Sequence, residues 1–187
     1  MDHYIDITVL PDPEFPATTL MNALFAKLHR GLVDHGRHGI GISFPGVDPQ
    51  KRTLGKRLRL HGSAEDLEHL MQIPWTQGMR DHIRISPTRP VPTATLHRSV
   101  RRVQAKSSPE RLRRRLMARK QLESAQALAA IPDSAAQRLA LPYVEITSRT
   151  TGQRFKLFIE HLEPQQAPVP GTFSMYGLST EATVPWF

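Results

Sequence analysis

Cysteine is absent from this chain of 187 residues, which excludes disulfides, thiolate nucleophiles, iron–sulfur clusters and cysteine-ligated zinc together. A metal would need histidine and carboxylate ligands. The histidines are poorly arranged for that: His35 and His38 are close, His61 and His69 lie further apart, and no carboxylate array accompanies either pair. No metal and no other cofactor is expected. Apolar runs long enough to cross a bilayer, on the order of 18–20 residues, are also missing. The opening Met1-Asp2-His3-Tyr4 lacks the basic stretch and apolar core of a secretory signal. A soluble, cytoplasmic protein is the expectation. Hydrophobic residues reach 39%, low for a globular chain but outside the disordered range, and enough for one large domain or two small ones.

Negative charge is scarce in one place. Between Arg98 and Lys120 stand ten Lys/Arg and a single acid, Glu110. That window carries +9 while the whole chain carries +8, leaving 15 basic and 16 acidic residues elsewhere. The positive field is thus one concentrated patch, which reads as a docking surface for a polyanion.

The first half alternates strand and helix signals. Ile5, Ile7 and Val9 share one face of a strand over Tyr4–Leu10, and Pro11, Pro13 and Pro16 break the chain after it. Leu20, Leu24, Leu28 and Leu32 make one stripe of a helix that Gly31 and Gly36 help to end. Ile40, Ile42 and Phe44 predict a second strand, Leu58 and Leu60 a third, and Ile83 with Ile85 a fourth. A cap at Ser63 opens a second helix with Leu67, Leu70 and Met71 facing inward. The order βαββαβ predicts an α+β protein with an N-terminal ferredoxin-like domain over residues 1–92, ended by Pro87, Pro90 and Pro92.

Residues 93–187 predict a smaller, irregular domain. A strand-like run over His97–Ala105 leads into Ser108-Pro109-Glu110, which starts a helix running to Lys120. Short helices are expected over Ser124–Ala129 and Ser134–Leu139. A hairpin follows over Tyr143–Ser148 and Gln153–Ile159, then two short strands over Thr172–Tyr176 and Val184–Phe187.

On the basic helix, Arg111, Arg114, Arg115 and Arg119 fall within about 140° of one another. Glu110, four residues before Arg114, is the single acid within the helix and leaves most of their mutual repulsion unrelieved, whereas phosphates would supply the counter-charge through bidentate bonds. Arg113 and Lys120 instead sit among Leu112, Leu116 and Met117. At a spacing of two on a strand, Arg102 and Gln104 project from one face. Arginine matches the O6/N7 edge of guanine and glutamine the N6/N7 edge of adenine, with Lys106 and Ser107 joining this strand to the helix. Neither a helix-turn-helix nor a zinc-finger pattern is present.

Taken together these residues resemble a known family. Met1-Asp2-His3-Tyr4, the block Arg102-Val103-Gln104-Ala105-Lys106-Ser107, the run from Ser108 to Met117, Ser148, Thr151-Gly152-Gln153, Tyr176-Gly177-Leu178-Ser179 and Val184-Pro185-Trp186-Phe187 are similar to the CRISPR repeat-processing endoribonucleases of type I-F systems. These belong to the repeat-associated RNA-processing superfamily, and the resemblance runs end to end. It implies a substrate: the repeat stem-loop of a CRISPR precursor RNA, cut at the 3′ base of the stem, with the enzyme retained on the product hairpin. It implies membership of the type I-F guide-RNA surveillance complex. The arginine-rich helix would enter the major groove of the stem, Arg102 and Gln104 would read its lowest base pairs, and Phe155 would stack beneath it. Catalysis would fall to His29, Ser148 and Tyr176 without a metal, leaving a 2′,3′-cyclic phosphate and a 5′-hydroxyl. Two positions depart from the pattern: Thr150 stands where a serine is common, and Ala118 where an arginine is. The runner-up reading is a non-catalytic stem-loop RNA-binding protein with the same basic surface.

Overall fold

Period-two alternation decides the first strand, β1 (His3–Val9), where Ile5, Ile7 and Val9 are buried and the residues between them half-buried. This computed structural model describes residues 1–104, 109–132, 139–147 and 152–187. After β1 comes α1 (Ala17–His35), which starts behind Pro16 and ends where Gly36 turns left-handed at φ 71°. Its leucine stripe, Leu20, Leu24, Leu28 and Leu32, is buried as predicted, together with Met21 and Phe25. Each such side chain contributes about 1.5–3 kcal/mol on leaving water. Gly31 does not help end this helix. It lies inside it because Trp75 packs there: a Cβ at Gly31 would stand 2.8 Å from Trp75 Cγ.

The next elements are β2 (Gly41–Ser43), β3 (Arg57–Gly62), α2 (Ala64–Gln72), β4 (Ile83–Ile85) and β5 (Arg89–Pro90). Ser63 caps α2, its Oγ accepting from the Asp66 amide at 3.1 Å. The sheet runs β2-β3-β1-β4, with β5 pairing further along β1, and every pairing is antiparallel. Ile5 stands opposite Leu60 and Ile7 opposite Leu58, so one face presents an apolar row to the leucines of α1 and α2, while Ile85, the partner of Ile7 on the β4 side, is exposed.

The expected run over His97–Ala105 is two strands, β6 (Leu96–Arg98) and β7 (Val100–Val103). Ser99 separates them, its carbonyl taken by the Leu162 amide and its hydroxyl donating to Glu181 O. β8 (Tyr143–Thr147) and β9 (Arg154–His161) form the predicted hairpin, and the order β7-β9-β8 extends it. β10 (Val184–Trp186) pairs with β6. Residues Thr172–Tyr176, expected as a strand, instead lead into a turn in which Gly177 N donates to Ser174 O at 2.8 Å and Gly177 has φ 70°. The expected helix over Ser134–Leu139 falls almost wholly outside the described residues.

The chain forms two compact units, residues 1–103 with 141–187, and residues 104–140. The proline run at 87–92 lies inside the larger unit, because Val100, Val144, Leu157, Ile159, Phe173 and Val184 bury themselves in the same core as Ile5 and Leu24. The smaller unit holds α3 (Pro109–Lys120) and α4 (Ser124–Ala130). Four helices and ten antiparallel-paired strands among the described residues make the class α+β. None of those helices is long and apolar enough to cross a membrane.

Candidate functional site

Helical spacing places Phe25 and His29 one turn apart on α1. Tyr176 lies flat against both: its ring is 4.1 Å from that of His29, inclined at 14°, and 6.2 Å from that of Phe25, inclined at 9°. The residue before it completes the grip, with the Met175 carbonyl oxygen 2.7 Å from His29 Nδ1. A carbonyl can only accept, so Nδ1 carries the hydrogen. The lone pair of the neutral ring is then on Nε2.

The turn holding Met175 is fixed from both ends. Ser174 N donates to Leu178 O at 2.9 Å, and Gly177 O accepts from the Ile42 amide of β2, also at 2.9 Å. Only glycine suits position 177. Its φ is left-handed, and a Cβ there would stand 2.6 Å from Ile42 Cγ2. The geometry can therefore orient an imidazole that is half-buried but still reachable.

Arg102, on β7, comes to the same place. Its Cζ lies 5.8 Å from the Phe155 centroid and 5.9 Å from that of Tyr176. Its Nε is buried without a partner among the described residues, a donor with spare capacity. The neighbouring Arg101 is instead held by Glu160, Nε to Oε2 at 2.8 Å. Four sequence-predicted residues, His29, Arg102, Phe155 and Tyr176, thus converge within one unit. Ser148, Lys106 and Ser107 lie outside the described residues.

In the smaller unit Gln104 is exposed, as are Arg111, Arg114, Arg115 and Arg119 along one side of α3, and no residue of α3 is buried. Arg113, which interrupts the apolar side, donates from Nη1 to Ile131 O at 3.0 Å. It ties α3 to the carbonyl end of α4, whose Ala127 is fully buried. Sequence reasoning missed two things here, that tie and the Met175 carbonyl. The second is a backbone group and has no residue-type signal.

The histidines considered as ligands have other occupations. His38 Nδ1 is 2.7 Å from Phe173 O, and His35 Nδ1 accepts from the Arg37 amide. Among the described residues no group of three or more histidines and carboxylates could hold a metal ion.

Fold and site define an α+β protein with a backbone-oriented imidazole beside an arginine and two aromatic rings, and an arginine-faced helix in its smaller unit. The chain belongs to the family described as CRISPR-associated protein (Cas_Csy4), which matches residues 4–187. It is 51% identical over 187 residues to the CRISPR-associated endonuclease Cas6/Csy4 of Pseudomonas aeruginosa (strain UCBPP-PA14), covering 100% of both chains. It is 49% identical over the same length, again 100% of both, to the CRISPR-associated endonuclease Cas6/Csy4 of Escherichia coli (strain UTI89 / UPEC).

Proposed function

We propose that this protein is a metal-independent endoribonuclease of a type I-F CRISPR system, cutting precursor RNA at the 3′ base of the repeat stem-loop. The observation that carries the reading is the His29 imidazole, bound through Nδ1 to Met175 O and stacked on Tyr176. RNA brings its own nucleophile, the 2′-hydroxyl beside the scissile phosphate, so the protein needs chiefly a placed base and a way to hold the strand. His29 Nε2 takes the 2′-proton, the 2′-oxygen attacks phosphorus, and the bond to the 5′-oxygen breaks. The imidazolium so formed is available to return its proton to that departing oxygen. The products are a 2′,3′-cyclic phosphate and a 5′-hydroxyl. Ser148 holds the attacking ribose, and Tyr176 keeps the imidazole in plane.

Binding and specificity follow from the basic residues. Arg111, Arg114, Arg115 and Arg119 bind stem phosphates, helped by Lys106 and Ser107. Arg102 and Gln104 read the lowest base pairs, and Phe155 stacks beneath them. Residues 1–92 form the ferredoxin-like part bearing the catalytic histidine, a reading supported by the βαββαβ order and the β2-β3-β1-β4 sheet. Residues 93–187 supply most of the RNA contacts. The enzyme remains on its product hairpin, works in the cytoplasm, and joins the guide-RNA surveillance complex.

The test is a labelled stem-loop from the cognate repeat, incubated with and without EDTA. His29→Ala should abolish cutting while hairpin affinity stays within about twofold, and a 2′-deoxy nucleotide before the cut should block cleavage without loss of binding. Binding by the wild type with no cleavage under any condition would favour the purely RNA-binding reading. Inhibition by EDTA would overturn metal independence.

A further inference from the structure

The sheet face turned away from α1 and α2 carries an arrangement that the reaction does not use. Side chains on this face alternate with the buried Ile5, Ile7 and Val9, and the register names them. Arg57 of β3 stands opposite Thr8 of β1, and Thr8 stands opposite Arg84 of β4. One residue pair further, Asp6 faces Arg59; beyond it, Tyr4 faces His61 on one side and Arg89 of β5 on the other. With adjacent strands about 4.8 Å apart, Arg57 and Arg84 flank the threonine hydroxyl in a row roughly 10 Å wide.

The charge on this face is not balanced. Asp6 is the only carboxylate at its strand positions, and Arg59 already holds it through two bonds, Nε to Oδ1 at 2.7 Å and Nη2 to Oδ2 at 3.0 Å. Arg57 approaches the same carboxylate only to 3.9 Å and is half exposed. Arg84 and Arg89 are exposed and have no ion-pair partner among the described residues. Beside these cations lies an aromatic ledge. Phe187, 37% exposed as a residue, has its ring 4.9 Å from the Tyr4 ring, with the Arg59 guanidinium 4.0 Å from its centroid. Arg59 Nη1 also donates to Phe187 O at 2.9 Å, which pins the ring in place.

We infer that this face is a second RNA site, taking a single-stranded segment continuous with the folded substrate. Arginines that track a phosphate backbone, next to an exposed ring on which a base can stack, are the two parts of sequence-tolerant single-strand recognition. A protein partner of acidic character would be drawn by the arginines, but the ledge gives the preference to a nucleobase. The inference rests on the proposed RNA substrate, since the single strand is placed here as an extension of the stem-loop.

The experiment compares a non-cleavable 2′-deoxy stem-loop alone with the same stem-loop extended by single-stranded nucleotides on its 5′ or its 3′ side. Wild-type protein should bind one extended RNA about tenfold more tightly than the bare stem-loop. Arg57→Glu combined with Arg84→Glu should remove that gain and leave affinity for the bare stem-loop, and cleavage of its all-ribose counterpart, within about twofold. The salt dependence of the extended RNA should flatten by roughly 0.7 per lost phosphate contact. Phe187→Ala should reduce the gain without changing the salt slope, and melting curves check that each variant is folded. The inference is overturned if neither extension strengthens wild-type binding, or if the double variant keeps the gain. It is also overturned if that variant loses affinity equally for bare and extended RNA. Failure of the RNA-processing reading looks different: no preference for the stem-loop at all.

Discussion

At the scale of single residues, the site depends on a backbone carbonyl. His29 could be suspected from its edge position on α1, but its protonation state could not, because the group that sets it is Met175 O, 146 residues further on. What holds that oxygen in place is Gly177. An alanine there must adopt φ near +70° and push its Cβ toward Ile42. Gly177→Ala should therefore cost about 1–3 kcal/mol in urea unfolding and displace the Met175 carbonyl. In the nitrogen NMR spectrum of His29 the proton should no longer reside on Nδ1 alone, and kcat should fall more than stem-loop affinity. A variant of wild-type stability with an unchanged His29 spectrum would remove the turn from the catalytic argument. Arg102 carries a similar lesson. Its spacing from Gln104 suggested a base reader, whereas its nearness to Phe155 and Tyr176 required the fold, because β7, β9 and the 174–177 turn are distant in sequence.

At the scale of elements, α3 does two jobs with one residue type. Arg113 closes the carbonyl end of α4, while Arg114, about 100° further round α3, is exposed. Arg113→Ala should lower stability by about 1 kcal/mol and reduce protection of the α4 amides, with the salt slope of RNA binding unchanged. Arg114→Ala should leave stability within about 0.5 kcal/mol and flatten that slope by roughly 0.7–0.9. Thermal melts and salt titrations separate the two, and equal effects from both would deny the division of labour. Helical arithmetic made the arginine face legible because it needs only 100° per residue. The partner of Arg113 was not legible, because nothing local marks the carbonyl of Ile131. Strands read well where burial on one face enforces alternation, as in β1, β8 and β9. The reading failed at Thr172–Tyr176, where backbone hydrogen bonds to His38 and to Ile42 of β2 and a left-handed glycine, not alternation, fix the path. It also merged β6 with β7, since the change of pairing partner at Ser99 leaves no trace in a single strand's pattern.

For the whole molecule, one fully buried and one half-buried histidine link the fold to acidity. His61 is fully buried on β3, bonded to Ser43 Oγ at 2.9 Å, and burial first, then the Arg59 charge, push it well below the usual imidazole range. His161 lies against the rings of Phe44 and Trp186, its Nε2 accepting from the Phe44 amide at 3.2 Å. Burial, with the Arg98 charge adding to it, lowers its pKa to about 3. In the unfolded chain both rings titrate near their ordinary value of about 6.5, so below that pH the unfolded state binds more protons than the native one. The stability they allow is complete above pH 6.5. It falls as pH drops, by up to about 1.4 kcal/mol per unit for each ring, and the His161 share runs out near pH 3. Asp66 acts in a lower window: despite its burial, hydrogen bonds from Arg37 and Ser63 hold it below the usual carboxylate value. Its stabilisation is lost only as pH falls through that range. Urea unfolding should accordingly show lower stability at pH 5 than at pH 7, by about 2 kcal/mol from His161, with His61 adding in the same direction. His161→Gln keeps an acceptor for the Phe44 amide and cannot become charged, so it should remove the His161 share of the difference. Equal stability at the two pH values would mean that the strands around His61 and His161 admit a proton without opening, and the sealed core described above would have to be redrawn.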